Sequence, residues 1–190
     1  MNKLTTLALV SLLTLMSGCA TVIETINEDP IQVDPTERSW GNWIDDQTIE
    51  TIAGVNIKKA DPAFDKSRVK VVSFNGTVLL IGQVTNGQLK DLAETTVRDI
   101  NHVGKVYNEL TIGAPASILQ QSNDSWLTTK IKTKLIQSEV INADRIKINT
   151  EQGAVYLMGL VSPKQAQTSV DIVRNTGGVQ KIIKVFEYIK

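Results

Sequence analysis

One cysteine and one histidine occur in 190 residues, and that scarcity excludes a good deal. A single Cys (Cys19) permits neither an internal disulfide nor a cysteine zinc cage. A single His (His102) rules out a histidine-rich metal centre and any mechanism that needs two imidazoles. Charge of one sign is also missing in excess: 20 Lys+Arg balance 20 Asp+Glu. A nucleic-acid protein needs a basic face to meet phosphates, so none is expected as a partner. No glycine-rich phosphate loop and no nucleophile motif occurs. The expectation is therefore a protein that is not an enzyme and that carries neither metal nor cofactor. What the chain does have is 42% apolar and 21% charged residues, the composition of an ordinary globular protein.

The N-terminus stands apart. Met1-Asn2-Lys3 leads into an apolar run from Leu4 to Leu15. A run this short does not span ~30 Å of hydrocarbon as a helix, and it reads as a secretory signal. It ends in Leu15-Met16-Ser17-Gly18-Cys19, which resembles the bacterial lipobox although Met16 stands where Leu is usual. That resemblance implies cleavage of a signal peptide over residues 1–18 and lipidation of Cys19, with palmitate among the acyl groups. Several acyl chains anchor stably, at ~0.8 kcal/mol per buried methylene. The residue after Cys19 is Ala20 rather than Asp, which by the same resemblance sorts the protein to the outer membrane, lipid-anchored and facing the periplasm.

Charge then divides the chain. Residues 20–45 carry six acidic side chains and one basic, with Pro30 and Pro35 and no sustained period. They read as a tether, so that 19–45 is expected to be a lipidated, mostly unstructured lead. Residues 46–112 balance eight bases against eight acids, 113–123 are uncharged and read as a linker, and 124–190 carry ten bases against six acids. The neutral total thus hides a basic C-terminal unit.

The two larger segments are copies of one another. At an offset of 77, Arg68-Val69-Lys70-Val71 matches Arg145-Ile146-Lys147-Ile148, and Gly76, Leu80, Gly82 and Val84 match Gly153, Leu157, Gly159 and Val161. Repetition at a single offset marks a duplicated unit. In the second copy Leu127, Ile131 and Leu135 form one helical stripe, with Asn123 or Asp124 as its cap; Ile49, Ala53 and Ile57 are the counterparts in the first. Gly54 weakens the first copy's helix by ~1 kcal/mol relative to Ala. Two alternating strands follow, joined at Asn75-Gly76 and at Gln152-Gly153, as suits a tight hairpin. A second helix comes next, capped by Ser162 with Gln165, or by Thr85 with Gln88. Its stripe in the first copy is Leu89, Leu92, Ala93, Val97 and Ile100. Val106–Ile112 and Ile182–Ile189 are the last strands. Each copy is αββαβ: a three-stranded sheet with two helices, an α+β fold. Tyr156, Met158 and Leu160 give the second sheet another apolar face, expected to contact the other copy or the tether. A domain of ~60 residues is marginal alone.

The αββαβ order with its strand–Gly–strand core (Val69–Val84, Ile146–Val161) resembles the BON domain. Two such domains behind a lipobox and a short tether resemble the dual-BON outer-membrane lipoproteins. Segments Ser122–Lys130, Val155–Val161 and Tyr188–Lys190 carry the likeness most strongly. The resemblance implies a non-enzymatic protein that binds phospholipid, supports envelope integrity and gathers at division sites.

The candidate binding residues lie in the second copy. Trp126, Lys130 and Lys134 recur every four residues, with Lys132 nearby. Trp favours the membrane interface and Lys is drawn to anionic headgroups, so the expected partner is an anionic phospholipid membrane. The first copy has Thr48, Ile52, Gly54 and Asn56 at those places. A protein-interaction scaffold for outer-membrane assembly proteins, or cell-wall binding, is the alternative. Trp40 and Trp43 are expected to pack on the first domain. Asp45-Asp46 reads as cap and solvated face, and His102 as structural or exposed.

Overall fold

A computed structural model describes residues 40–189. The segments expected to be a signal peptide and a tether, and the expected lipidation site Cys19, lie outside the described residues. Helix α1 spans Trp40–Ala60 and begins six residues before the expected start of the domain. Gly41 and Asn42 look like breakers, but Asn42 Nδ2 donates to Asn75 Oδ1 at 2.7 Å and so ties this first turn to the hairpin below. A short 3-10 turn, Pro62–Lys66, buries Phe64.

Strands β1 (Arg68–Phe74) and β2 (Thr77–Val84) form the antiparallel hairpin. At its tip both Asn75 and Gly76 have positive φ, 52° and 73°, as a two-residue type I′ turn requires. Helix α2 (Gly87–Arg98) is capped by Asn86, whose Oδ1 accepts from Leu89 N, rather than by Thr85 one residue earlier. Asn caps better than Thr, so the helix starts later. The last strand of this copy is broken into β3 (Lys105–Asn108) and β4 (Thr111–Ile112), because Leu110 between them turns into the core. Both pieces run parallel to β2.

Helix α3 (Ile118–Ile136) starts six residues before Asp124, within the expected linker. Its cap is Ser117, which accepts from Gln120 N, and neither Asn123 nor Asp124 serves. Lack of charge made 113–123 look like a linker, yet Ser117 followed by Ile118-Leu119-Gln120-Gln121 is a good helix start. Strands β5 (Ile146–Glu151) and β6 (Ala154–Val161) repeat the hairpin, again with positive φ at Gln152 and Gly153. Helix α4 (Pro163–Arg174) begins with the full Ser162–Gln165 capping box, and β7 (Lys181–Tyr188) lies parallel to β6.

Each sheet therefore has its hairpin's second strand at the centre and both helices on one face. The helical stripes expected from the period are buried, from Ile49, Ala53 and Ile57 in one copy to Leu127, Ile131 and Leu135 in the other. The opposite faces of the two sheets meet. Val72, Phe74, Leu79 and Ile81 pack against Tyr156, Met158 and Val185 in a third core, with Leu160 partly buried at its edge. The second apolar face thus covers the other copy. Burial there, with the nearby Glu109 and Glu151 carboxylates, pushes the Tyr156 phenol up to about 12.

Polar pairs seal the rim of this contact. Arg68 Nη1 reaches both oxygens of Glu151 at 2.5 and 2.6 Å, and Gln83 Nε2 donates to Glu151 Oε1 at 2.8 Å. Lys147 binds Glu50 at 2.6 Å, and Thr77 Oγ1 donates to Glu187 at 2.6 Å.

Candidate membrane-facing surface

Helix α3 turns Leu127, Ile131 and Leu135 inward, and helical spacing carries Trp126 to the outside one residue earlier. Trp126 is 62% exposed. Lys130, one turn on, lays its ammonium 4.7 Å from the centre of the Trp126 ring, a cation–π contact at the surface. Lys134 reaches across to the end of α4, donating to Thr176 Oγ1 at 3.0 Å and to the Asn175 carbonyl at 3.3 Å; Lys130 approaches the Gly177 carbonyl at 3.5 Å. These cations sit where the last carbonyls of α4 leave partial negative charge. Lys132 is exposed, but lies about a third of a turn from Trp126. The structure therefore joins Trp126, Lys130 and Lys134 on one face and places Lys132 on its flank.

Leu119, 72% exposed, shares this face, while Ile118 (84%) and Ile136 (61%) are exposed about a quarter of a turn from Trp126, on the side of Lys132. Ile118 and Leu119 are hidden in the sequence because 113–123 reads as a linker; their adjacency in an uncharged stretch is the available signal. The first copy is different. Its α1 exposes Ile44, Ile52 and Val55, with lysines only in the last turn, at Lys58 and Lys59. Trp43 is half exposed. His102 is exposed, with Nδ1 3.1 Å from Asp45 Oδ2.

The acidic residues have an unforeseen role. Asp46 is fully buried: its carboxylate accepts from Ser73 Oγ at 2.5 Å, Asn75 N at 2.7 Å and Gly76 N at 3.0 Å. Asp124 does the same in the other copy, accepting from Gln152 N at 2.8 Å and Gly153 N at 2.9 Å. Each first helix thus clamps the tip of its own hairpin. Asp46 is not solvated, and Asp124 is not a helix cap. The matching positions at an offset of 78 were the sequence signal for this pair. Among the described residues no group of His, Cys, Asp and Glu could hold a metal ion, and no helix is long and apolar enough to cross a membrane.

Comparison with known proteins agrees with the duplicated architecture. The BON domain matches residues 45–114 and 123–190. The outer membrane lipoprotein DolP of Haemophilus influenzae is 38% identical over 92% of this chain and 90% of its own length. The 21 kDa hemolysin of Actinobacillus pleuropneumoniae is also 38% identical, over 83% of this chain and 80% of its own. Osmotically-inducible protein Y of Escherichia coli shares 27% identity over 84% of this chain and 81% of its length. With both αββαβ units matched and such relatives covering most of the chain, this protein belongs to the BON-domain family.

Proposed function

We propose that the protein is an outer-membrane lipoprotein, anchored through Cys19 and facing the periplasm, that binds anionic phospholipid through α3 of its second domain and supports envelope integrity at division sites. The observation that carries this reading is the outer face of α3, where Trp126 and exposed aliphatic side chains lie beside lysines. Lysine contacts near an anionic leaflet are worth ~1 kcal/mol each, too little alone. The anchor supplies the rest: Cys19 lies 40 − 19 = 21 positions before the start of α1, so lipidation there holds the domains near the leaflet and raises their effective concentration. The name of the Haemophilus influenzae relative supports the outer-membrane placement.

The test is co-sedimentation of the mature chain, with Cys19→Ser to remove the anchor, on phosphatidylglycerol–phosphatidylcholine vesicles and on phosphatidylcholine alone. Binding is expected only to the anionic vesicles and should fall with salt. Trp126→Ala and Lys132→Glu should weaken it at an unchanged urea midpoint. Lys132 is the cleaner charge probe, because Lys134 also holds the end of α4. Equal binding to both vesicles, or no effect of either variant, refutes the reading. The isolated stretch 124–190 is a poor reagent, since it truncates α3 and uncovers the third core.

A second reading, a scaffold for outer-membrane assembly proteins, is favoured by the exposed apolar residues Ile44, Ile52 and Val55 of α1, whose lysines, Lys58 and Lys59, are confined to its last turn. Loss of function from charged substitutions there, with vesicle binding intact, would support it.

A further inference from the structure

Where the two domains meet, a cleft of about 250 Å³ opens beside α3, on the flank away from the Leu127 stripe. The first domain contributes Arg68 and Lys70 from β1. The second contributes Ser125 and Thr128 from α3, with Asn149 and Thr150 from β5. Neither domain alone has this wall.

Its hydrogen bonding is one acceptor short. Asn149 is 7% exposed. Its Oδ1 accepts from Lys70 Nζ at 2.7 Å, which fixes the orientation of the amide, because the opposite one would set Nδ2 against an ammonium. Nδ2 is then buried with no partner. A buried donor without an acceptor is unfavourable and calls for an explanation. Thr128 Oγ1 donates to Thr150 Oγ1 at 2.8 Å, so the Thr150 hydroxyl still has its own proton to give. Lys70 is exposed as a residue, but its ammonium is part-buried with a neutral amide as hydrogen-bond partner. Desolvation lowers its pKa from the usual value, with the Glu151 carboxylate acting in the opposite direction.

The neighbouring carboxylates are committed elsewhere. Glu151 is held by Arg68 and Gln83, and Glu50 by Lys147 and the Ser73 amide. Asp124, at the cleft wall, is taken up by the hairpin amides of Gln152 and Gly153. What remains for a ligand is a set of donors: Lys70, the outer edge of the Arg68 guanidinium, Asn149 Nδ2 and the Thr150 hydroxyl.

We propose that this inter-domain cleft is an anion site that takes a phosphate group, and that the first domain supplies its cations. The phosphate could belong to a lipid headgroup or be free in solution. The site is separate from the Trp126 face, and its failure can be told apart from failure of the lipid reading.

The experiment follows the Asn149 side-chain amide by NMR in the unanchored mature chain. One arm adds inorganic phosphate against chloride at matched ionic strength; the other adds phosphatidylglycerol–phosphatidylcholine vesicles and measures affinity. Saturable movement of the Asn149 signal with phosphate, lost in Lys70→Gln and restored in Lys70→Arg, supports a site open to free phosphate. Lys70→Gln keeps a donor for Asn149 Oδ1, so the fold is retained. If free phosphate is silent but Lys70→Gln weakens vesicle binding about fivefold, the headgroup is the source. Trp126→Ala should weaken vesicle binding while leaving any phosphate response intact. The proposal is overturned if phosphate behaves as chloride does and Lys70→Gln binds vesicles as tightly as the parent.

Discussion

Replacing Asp124 with Ala is the most direct probe of how this fold is held. The carboxylate is 5% exposed and accepts from the amides of Gln152 and Gly153 at 2.8 and 2.9 Å, and from Gln120 Nε2 at 3.1 Å. Ala would leave the Gly153 amide buried without an acceptor, at a cost of ~1–3 kcal/mol, and strip a charge-assisted bond from the part-buried Gln152 amide, which water can partly replace. The expected destabilisation is about 2–4 kcal/mol. Asp46→Ala should cost more, because Asp46 is fully buried and also holds the Ser73 hydroxyl at 2.5 Å. The Asn variants should fall between, since one side-chain oxygen survives while the new NH₂ faces an amide donor. Urea denaturation measures the totals, and native-state hydrogen exchange locates them. Protection should fall at the amides of Gln152 and Gly153. If Asp124 were instead a helix cap, protection would fall at the second and third residues after it, Trp126 and Leu127. A loss below ~1 kcal/mol with Gly153 protection unchanged would refute the clamp.

Three other outcomes follow from the packing and burial of single residues. A Cβ at Gly159 would lie 2.1 Å from the Arg145 carbonyl oxygen, and one at Gly82 2.0 Å from that of Arg68, so Ala at either must push its hairpin strands apart. Each should cost about 3 kcal/mol or more, read from urea midpoints, and an unchanged midpoint would contradict the strand register. Gly54 has open space where a Cβ would go, so Gly54→Ala should raise stability by about 0.5–1 kcal/mol in the same assay. Between about pH 10 and pH 12 the unfolded chain gives up the Tyr156 proton while the folded one keeps it. Stability should therefore fall with rising pH in that window, at up to ~1.4 kcal/mol per unit, and Tyr156→Phe should flatten that slope.

Sequence alone determined whatever depends on local order. The periods of 3.6 and 2 placed both helical stripes and both hairpins, the offset of 77 revealed the duplication, and Ser162-Pro163 with Gln165 marked the start of α4. These signals are legible because the side chains that make an element lie within a few residues of one another. Trp126 with Lys130 and Lys134 was legible for the same reason, being one face of one helix. Helix starts were less so, since Asn86 and Ser117 each lay beside another plausible cap or inside an uncharged stretch.

Tertiary structure decided the rest. Asp46 and Asp124 meet amides 28 to 30 residues away, and no local pattern distinguishes such an acid from a solvated one. The alternation around Tyr156 and Met158 announced a second apolar face, but only the packing showed that Val72, Phe74, Leu79 and Ile81 cover it. The seam pairs Arg68–Glu151 and Lys70–Asn149 join residues about 80 positions apart. They exist because two sheets that are marginal alone bury their remaining apolar surface against each other, and that burial brings polar groups from both copies to a common edge.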